Sequence, residues 1–441
     1  MDKAALDAAL QWVLHKQDVF SYHIHHFYPL QTPCTKPSKQ FRQWITTSLQ
    51  HLSDTETESY LSQRYADLFY KRFWRVNTPW IRANLYYLNN DQIELHVCMS
   101  HLIADERSMA IFFHELSNAY LFITQRSTLH NHELLQNYKH YITHKNSTVQ
   151  QHANTDEHFW KHYLQDTGLF IVPTQYVVTN HAIAATHIPV SESFGLKLSQ
   201  FCAQHRIGLN DVLCAATSLA LFQCCNQDLS CVPHKLLISH LKSTRDEPQY
   251  DHFMGCFLRM DILKLSLNHQ TTLVDLAKQA QQSAYETALF QRASSLIKIA
   301  AIGKQPKIKK PLITFFTNIG LTLIAKSFPK FQLNNSLINA CKTLAAADRT
   351  QQFFINVNIN NDFLNETEQS LPADLLGLRK REIPLYAYPV RVIPYTLDIA
   401  FHRNNDQNMP FITIATNLLP DFQKKLGETL ASIIIKEDST A

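Results

Sequence analysis

Ser100-His101-Leu102-Ile103-Ala104-Asp105-Glu106-Arg107-Ser108 is the stretch around which the rest of the chain can be read. Before it, Ile93, Leu95, Val97 and Met99 alternate with Glu94, His96 and Cys98, the period of a strand with one buried face. After it, Ser108 to Phe122 has the apolar spacing of an amphipathic helix. A His therefore stands at a strand end, an Asp follows four residues on, and a helix begins. That is a good place for a general base. The strand holds the residue rigidly, and an imidazole with a pKa of about 6.5 is partly neutral at physiological pH. Asp105 can fold back within the loop, either to orient the imidazole or to pair with a cation and pin the loop. The spacing alone is weak in a chain with 23 histidines, and an ordinary polar loop would also satisfy it.

Working outward, Trp80 to Leu88 and Gln92 to Met99 read as two strands joined by the turn Asn89-Asn90-Asp91. Ala4 to Leu14 reads as a helix with Ala5, Leu6, Ala9, Leu10, Val13 and Leu14 on one face, and Phe20 to Phe27 as a strand. Ser38 to Leu52 and Glu56 to Phe69 look helical, Ser127 to Asn154 a polar surface excursion, and Glu157 to Leu164 a short helix. Further on, Ala182 to Val190 is a strand, and Ser193 to Gln204 and Asp211 to Cys224 are helices, the latter with Asn210 as its cap. Leu236 to His240 and Phe257 to Leu263 are strands, and Asp275 to Leu289 is a helix. Phe353 to Ile359, Tyr395 to His402 and Phe411 to Asn417 are strands, and Asp421 to Ile434 is a closing helix. The expectation is a mixed α/β chain without repeats, in two lobes: 1–170, carrying the His101 stretch, and 171–441.

Composition narrows the function. The chain has 441 residues, 45% hydrophobic and 18% charged, enough for a large core. A net charge of +4 is too small for a dedicated nucleic-acid binder. The eight glycines are too scattered for a phosphate-cradling loop or a hydrolase nucleophile elbow. The nine cysteines are odd in number, lack any C-x-x-C and lie in apolar runs. This argues against a disulfide framework or a zinc site and for a reducing compartment. His23, His25 and His26 alternate across a strand without a third ligand, so no metal is expected. Met1 to Lys16 lacks the pattern of a signal peptide, and Pro311 to Ala325 is too short and polar for a membrane span; a cytoplasmic protein is expected. Between 295 and 330, seven lysines interleave with Ile, Leu and Phe. That is the pattern of a solvated face, or of a docking segment for an acidic partner or an anionic membrane surface.

The flanking sequence adds a resemblance. His101-Leu-Ile-Ala-Asp-Glu-Arg-Ser-Met, with His114-Glu115-Leu116 in the next helix, resembles the H-H-x-x-x-D-G motif of the condensation domains of nonribosomal peptide synthetases. These belong to the chloramphenicol-acetyltransferase-like acyltransferases. Other matches follow in order. Glu157-His-Phe-Trp-Lys-His-Tyr-Leu164 resembles the family's helix between lobes, and Leu209-Asn-Asp-Val-Leu-Cys-Ala-Ala216 its T-x-x-D-V-L-L-A-A helix. Ser243-Thr-Arg245 with Phe253-Met-Gly-Cys-Phe-Leu258 resembles the latch segment, and Phe353-Phe-Ile-Asn-Val-Asn358 the V-x-F-N-Y strand. Tyr395-Thr-Leu-Asp398 with Thr416-Asn417-Leu418 resembles the closing hairpin. Two positions depart: Ser100 stands for the family's first His and Glu106 for its Gly, and the family's opening element is missing.

The resemblance implies two lobes in a V with a central channel. It implies an acyltransferase in which His101 accepts a proton while an amine or hydroxyl attacks an acyl thioester, forming an amide or ester. Asp105 would pair with Arg245 to fix the loop. Ser100 and Glu106 would line the channel; Asn356 and Asn358, on an alternating strand, could line it too or could equally be satisfied sheet-edge residues. The donor would ride on a carrier protein's phosphopantetheine or on coenzyme A, the acceptor would be a small amine or alcohol, and no cofactor would be bound. Two alternatives stay open: a degenerate condensation-like domain that recruits a partner without catalysis, favoured by Ser100 and Glu106, and a coenzyme A-dependent O-acyltransferase.

Overall fold

The computed structural model describes residues 2–24, 31–33, 45–70, 81–89, 92–100, 103–124, 138–178, 184–191, 193–245, 247–292, 352–359, 396–403 and 410–436. Among these, the first half comprises α1 (Lys3–Lys16), β1 (Tyr22–Ile24), β2 (Gln31–Pro33), β3 (Ile45–Ser48), α2 (Asp54–Tyr70), β4 (Ile81–Tyr87), β5 (Ile93–Met99), α3 (Glu106–Ile123) and α4 (Tyr138–Tyr163). The antiparallel hairpin β4–β5 pairs Ile81 with Met99 through to Tyr87 with Ile93. Because side chains alternate, Ile81, Ala83 and Leu85 share a face with Leu95, Val97 and Met99. That face packs with Leu6 and Leu10 of α1 and with Ile111, Phe112 and Leu116 of α3. Asp2 caps α1, accepting hydrogen bonds from the amides of Ala4 and Ala5.

The helix expected over Ser38 to Leu52 is corrected where it can be described: 45–48 is strand β3, parallel to β4. Ile45, Thr46 and Thr47 are β-branched, which disfavours helix and suits a sheet edge. The surface excursion expected over Ser127 to Asn154 is, where it can be described, a helix with a largely exposed middle. From Tyr138 the chain is helical, and α4 runs 26 residues without a break at Glu157, about 39 Å at the standard rise. Tyr138 and Tyr141 anchor its start in the first core. Trp160 and Tyr163 anchor its end in another. The polar middle bridges the two, which is why its sequence shows no apolar stripe.

The second half contributes β6 (Thr167–Gly168), β7 (Phe170–Ile171), β8 (Ala184–Pro189), α5 (Ser193–His205), α6 (Leu209–Cys224), β9 (Lys235–Ser243), β10 (Leu258–Leu265), α7 (Leu273–Thr287), β11 (Gln352–Ile359), β12 (Thr396–Arg403), β13 (Pro410–Thr416) and α8 (Pro420–Lys436). These strands form one eight-stranded sheet in the order β10-β9-β11-β12-β13-β8, with β6 beside β9 and β7 beside β11. Strands β9, β11 and β12 run parallel; β10, β13 and β8 are antiparallel to their neighbours. Leu236, Ile238, Ile355, Val357, Leu397, Ile399, Ile412 and Ile414 point to one face, covered by α5 to α8. On the opposite face Leu237, Ile262 and Phe354 lie under Trp160 and Leu164.

Helix α6 begins one residue before the expected cap, with Gly208 at the cap and no side-chain cap bond, so Asn210 already lies inside the helix. Asp211 in its first turn is partly buried, and burial raises its carboxyl to about 6 against the pull of Lys242. A folded-state value above the unfolded one, about 3.9, means the folded protein holds the extra proton between those limits. Stability therefore falls as pH rises from about 4 to about 6, and the penalty is complete above that window. Asp211→Asn is expected to raise the thermal midpoint above pH ~7 and to make no difference below pH ~4. A midpoint difference independent of pH would show that the gain is not electrostatic.

One segment breaks the division into halves. Tyr250, Phe253, Met254 and Phe257 are buried in the first core, among residues of α1, α3 and β4. Gln17 fastens it, donating to the carbonyl of His252 at 3.0 Å and accepting from the amide of Met254 at 3.0 Å. Gly255 sits so close to Tyr138 that an added Cβ would fall 2.2 Å from its ring and 2.8 Å from that of Phe257. Gly255→Ala is expected to destabilise by about 1–3 kcal/mol through overpacking, read as a drop in the urea midpoint. A loss under ~0.5 kcal/mol would show that the Tyr138 ring steps aside.

Candidate active site

Strand β5 ends at Met99, and the chain turns at once: the amide of Ile103 donates to the carbonyl of Ser100 at 3.0 Å. Ser100 is buried. His101 and Leu102 lie outside the described residues. After the turn Ile103 and Ala104 are buried, and Asp105 caps α3.

Asp105 is tied from three directions. Its Oδ1 accepts from the Ser108 amide at 2.8 Å and the Ser108 hydroxyl at 2.6 Å. Its Oδ2 accepts from the amide of Phe257 at 3.1 Å. Nη2 of Arg245 donates to both oxygens, at 3.1 and 3.2 Å. Both side chains of this ion pair are nearly inaccessible, 6% exposed for Arg245 and 4% for Asp105. Nη1 of Arg245 donates to the carbonyls of Tyr250 and Phe253. Its guanidinium lies 3.9 Å from the centre of the Phe257 ring, a cation–π contact in a desolvated place. Burial lowers the pKa of Arg245, and the Asp105 carboxylate pulls it back up.

Ser108 was not singled out by sequence reasoning, yet it is the hub of this tie. Its hydroxyl accepts from the amide of Gly255 at 3.0 Å, and its single proton is shared between Asp105 and the Gly255 carbonyl, 2.8 Å away. A serine three residues after an N-cap Asp gives a local signal for the cap bond, but none for a contact 147 residues further on. A second buried pair closes α1 onto α3: Nζ of Lys16 meets both oxygens of Glu115 at 2.8 Å.

The remaining candidates fall in two places. Glu106 is exposed in the first turn of α3, where its charge favours the helix dipole. Asn356 and Asn358 lie on β11, on the sheet face away from α5 to α8, and are partly exposed. Nδ2 of Asn356 donates to Asp398 of β12 at 2.9 Å and to Asn358 at 3.4 Å, while its Oδ1 accepts from Ser239 of β9 at 3.1 Å. Asp398 was read only as part of a closing motif; the structure adds it to the group around Asn356. The lysine-rich stretch 295–330 lies outside the described residues, as do His25 and His26. The described cysteines form no disulfide. Among the described residues no single helix is long and apolar enough to cross a membrane.

Comparison with known proteins places this geometry. The family model described as Condensation domain matches residues 1–361. The chain belongs to the condensation-domain family, whose general reaction is amide-bond formation between substrates carried on phosphopantetheine arms. Two relatives are large enzymes. A linear gramicidin synthase polypeptide of Brevibacillus parabrevis is 24% identical over 54% of this chain and 5% of its own length. Nonribosomal peptide synthetase 8 of Aspergillus fumigatus is 25% identical over 48% of this chain and 2% of its own length. The chain thus spans only a few percent of the curated relatives it matches. The X-domain from teicoplanin biosynthesis superposes over 100% of this chain and 88% of its own with a TM-score of 0.68 at 15% identity. VibH, a condensation enzyme, does so over 100% and 89% with a TM-score of 0.60 at 14% identity. The mixed α/β fold is that of the condensation domains.

Proposed function

We propose that this chain is an acyltransferase that joins an amine or hydroxyl to an acyl group delivered as a thioester, with His101 as the general base. His101 takes a proton from the nucleophile as the new C–N or C–O bond forms and the C–S bond breaks, and the thiol leaves with a proton. The observation that carries this reading is the tie at Asp105. A carboxylate four residues from His101 is locked by Arg245, Ser108 and the Phe257 amide, so the loop is anchored to a segment from the other half of the chain. Such rigidity makes sense for a base that must hold its geometry. The two cores built on separate sheets support a division into two lobes, although β6 and Phe170 already belong to the second sheet and 250–257 to the first core, so the boundary falls before the expected 170 and is crossed once. The donor would come on a carrier protein or as acyl-coenzyme A, with 295–330 as a receiving surface.

The test is acyl transfer from a panel of acyl-carrier-protein and acyl-coenzyme A thioesters to small amines and alcohols, followed by mass spectrometry. Product that depends on His101 supports the reading and names the donor; product formed equally by His101→Ala overturns the base. A second reading is a recruiter without catalysis. Ser100 and Glu106 replace the motif's first His and Gly, and a structural neighbour, the teicoplanin X-domain, has been captured in complex with OxyB. Under that reading the folded protein yields no product from any donor and instead binds a partner enzyme.

A further inference from the structure

Where the carboxy-terminal end of α4 lies over the large sheet, a cleft of about 500 Å³ opens beside it, a size that takes a small organic ligand. None of the residues tied to Asp105 lines it. Lys235, which does, opens strand β9, and Arg245 follows the far end of that strand, about 26 Å on at the standard rise. One wall is aromatic. Phe290 stacks on Phe159 with ring centres 3.7 Å apart and planes 5° apart, and Tyr163 stacks on Phe159 at 5.4 Å and 17°. The wall is fixed in place. Nε1 of Trp160 donates to the carbonyl of Phe290 at 3.0 Å, and the Tyr163 hydroxyl is bonded to Ser283 of α7.

The sheet side of the cleft is cationic. Lys264 on β10 stands opposite Leu237 on β9, and Lys235 comes two residues before Leu237. The two lysines therefore occupy diagonal positions on one face of the sheet. Burial, and then the like charge of Lys235, lower the pKa of Lys264. Nζ of Lys264 rests 4.1 Å from the centre of the Tyr163 ring, and neither lysine forms an ion pair with a described residue. Three acids stand nearby. Asp156 is engaged by Arg292 at 3.2 Å. Glu286 attracts Lys264 less than Lys235 repels it, and Asp166 lines the cleft; both are exposed. His158 and His162, one turn apart on α4, also line the cleft, and an imidazole N–H can donate to an anionic oxygen.

We propose that this cleft binds an aromatic compound carrying a phosphate monoester, with the phosphate between Lys235 and Lys264 and the ring against Phe159 and Phe290. A phosphate monoester carries nearly two negative charges at neutral pH, so it answers both ammonium groups at once. Lysine serves such a group as a point charge. A neutral aromatic compound would leave the two lysines repelling each other. Inorganic phosphate would leave the aromatic wall in water. The ring edges of the wall carry partial positive charge, which also suits an anion. The assignment is independent of the transfer reaction, because a ligand in this cleft touches no residue given a part in it.

A ligand-observed NMR titration of the full chain tests this. The probe is phenyl phosphate, compared with inorganic phosphate, benzyl alcohol and benzoate. Phenyl phosphate is expected to bind with a Kd of about 1 mM or tighter, and each comparison compound at least ~10-fold more weakly. Lys235→Gln combined with Lys264→Gln, read on protein whose urea midpoint matches the wild type, is expected to weaken phenyl phosphate by about 10-fold or more. Should the double variant lose stability, each single substitution is read by itself. Phe290→Leu is expected to weaken phenyl phosphate about 3–10-fold and to leave inorganic phosphate unchanged. Inorganic phosphate binding as tightly as phenyl phosphate would remove the ring from recognition, and benzoate or benzyl alcohol doing so would remove the phosphate; either overturns the assignment. So would binding undiminished by the lysine substitutions, which places the ligand elsewhere, or no binding of phenyl phosphate at about 10 mM.

Discussion

Arg245→Ala is expected to unfold at a clearly lower urea concentration than the wild type, with a loss of about 3–5 kcal/mol. The reason is not the strength of the ion pair itself. Burying two charges costs nearly what their attraction returns, so the intact pair adds little net stability. Removing one partner is different. Asp105 would stay 4% exposed with an uncompensated charge, and the carbonyls of Tyr250 and Phe253 would each lose the guanidinium as a donor, the first keeping the Phe253 amide. The ring of Phe257 would lose the cation above it. The coupling can be separated from these side effects. Asp105→Ala combined with Arg245→Ala should cost less than the two singles added together, by about 0.5–3 kcal/mol. A single-mutant loss under ~1 kcal/mol would mean that water reaches Asp105 when the guanidinium goes.

His101→Ala is expected to lower the transfer rate by a factor of about 10²–10⁴, the usual contribution of a positioned general base. The measurement is read on protein whose urea midpoint matches the wild type, so that lost rate is not lost fold. The pH profile adds a second check. With a histidine base the rate should rise through about pH 6.5 and level off as the imidazole becomes neutral. That rise should vanish in the variant. A loss smaller than ~10-fold with the same pH profile would leave His101 as a spectator.

The sequence showed some of this and hid the rest, for reasons that can be named. The β4–β5 hairpin was legible because one face alternates cleanly and a turn of Asn and Asp joins the strands. Helix α1 was legible because Ala5, Leu6, Ala9, Leu10 and Val13 all lie on the buried side. The 26-residue α4 was not, since only its two ends are anchored and its middle faces water. Strand β3 was read as helix because its four residues give too short a pattern, and its partner, Asn84 to Tyr87, lies far along the chain. The Asp105–Arg245 contact joins residues 140 apart, beyond the reach of any periodicity, and came only from the resemblance. Ser108 signalled only its cap bond, and Asp398 only its place in a closing motif. What they do depends on which strand or turn lies opposite, and that is settled by tertiary pairing rather than by neighbours in sequence.

The placement of Tyr250, Phe253, Met254 and Phe257 in the first core has a consequence for how the protein is made. Domains generally fold as they leave the ribosome, amino-terminal part first. Here the amino-terminal core cannot be completed until the chain has been translated past residue 257. For all that time the first core lacks four of its buried side chains, and Asp105 waits without its cation. Nascent chains halted before that point should cling to chaperones, and those halted beyond it should let go.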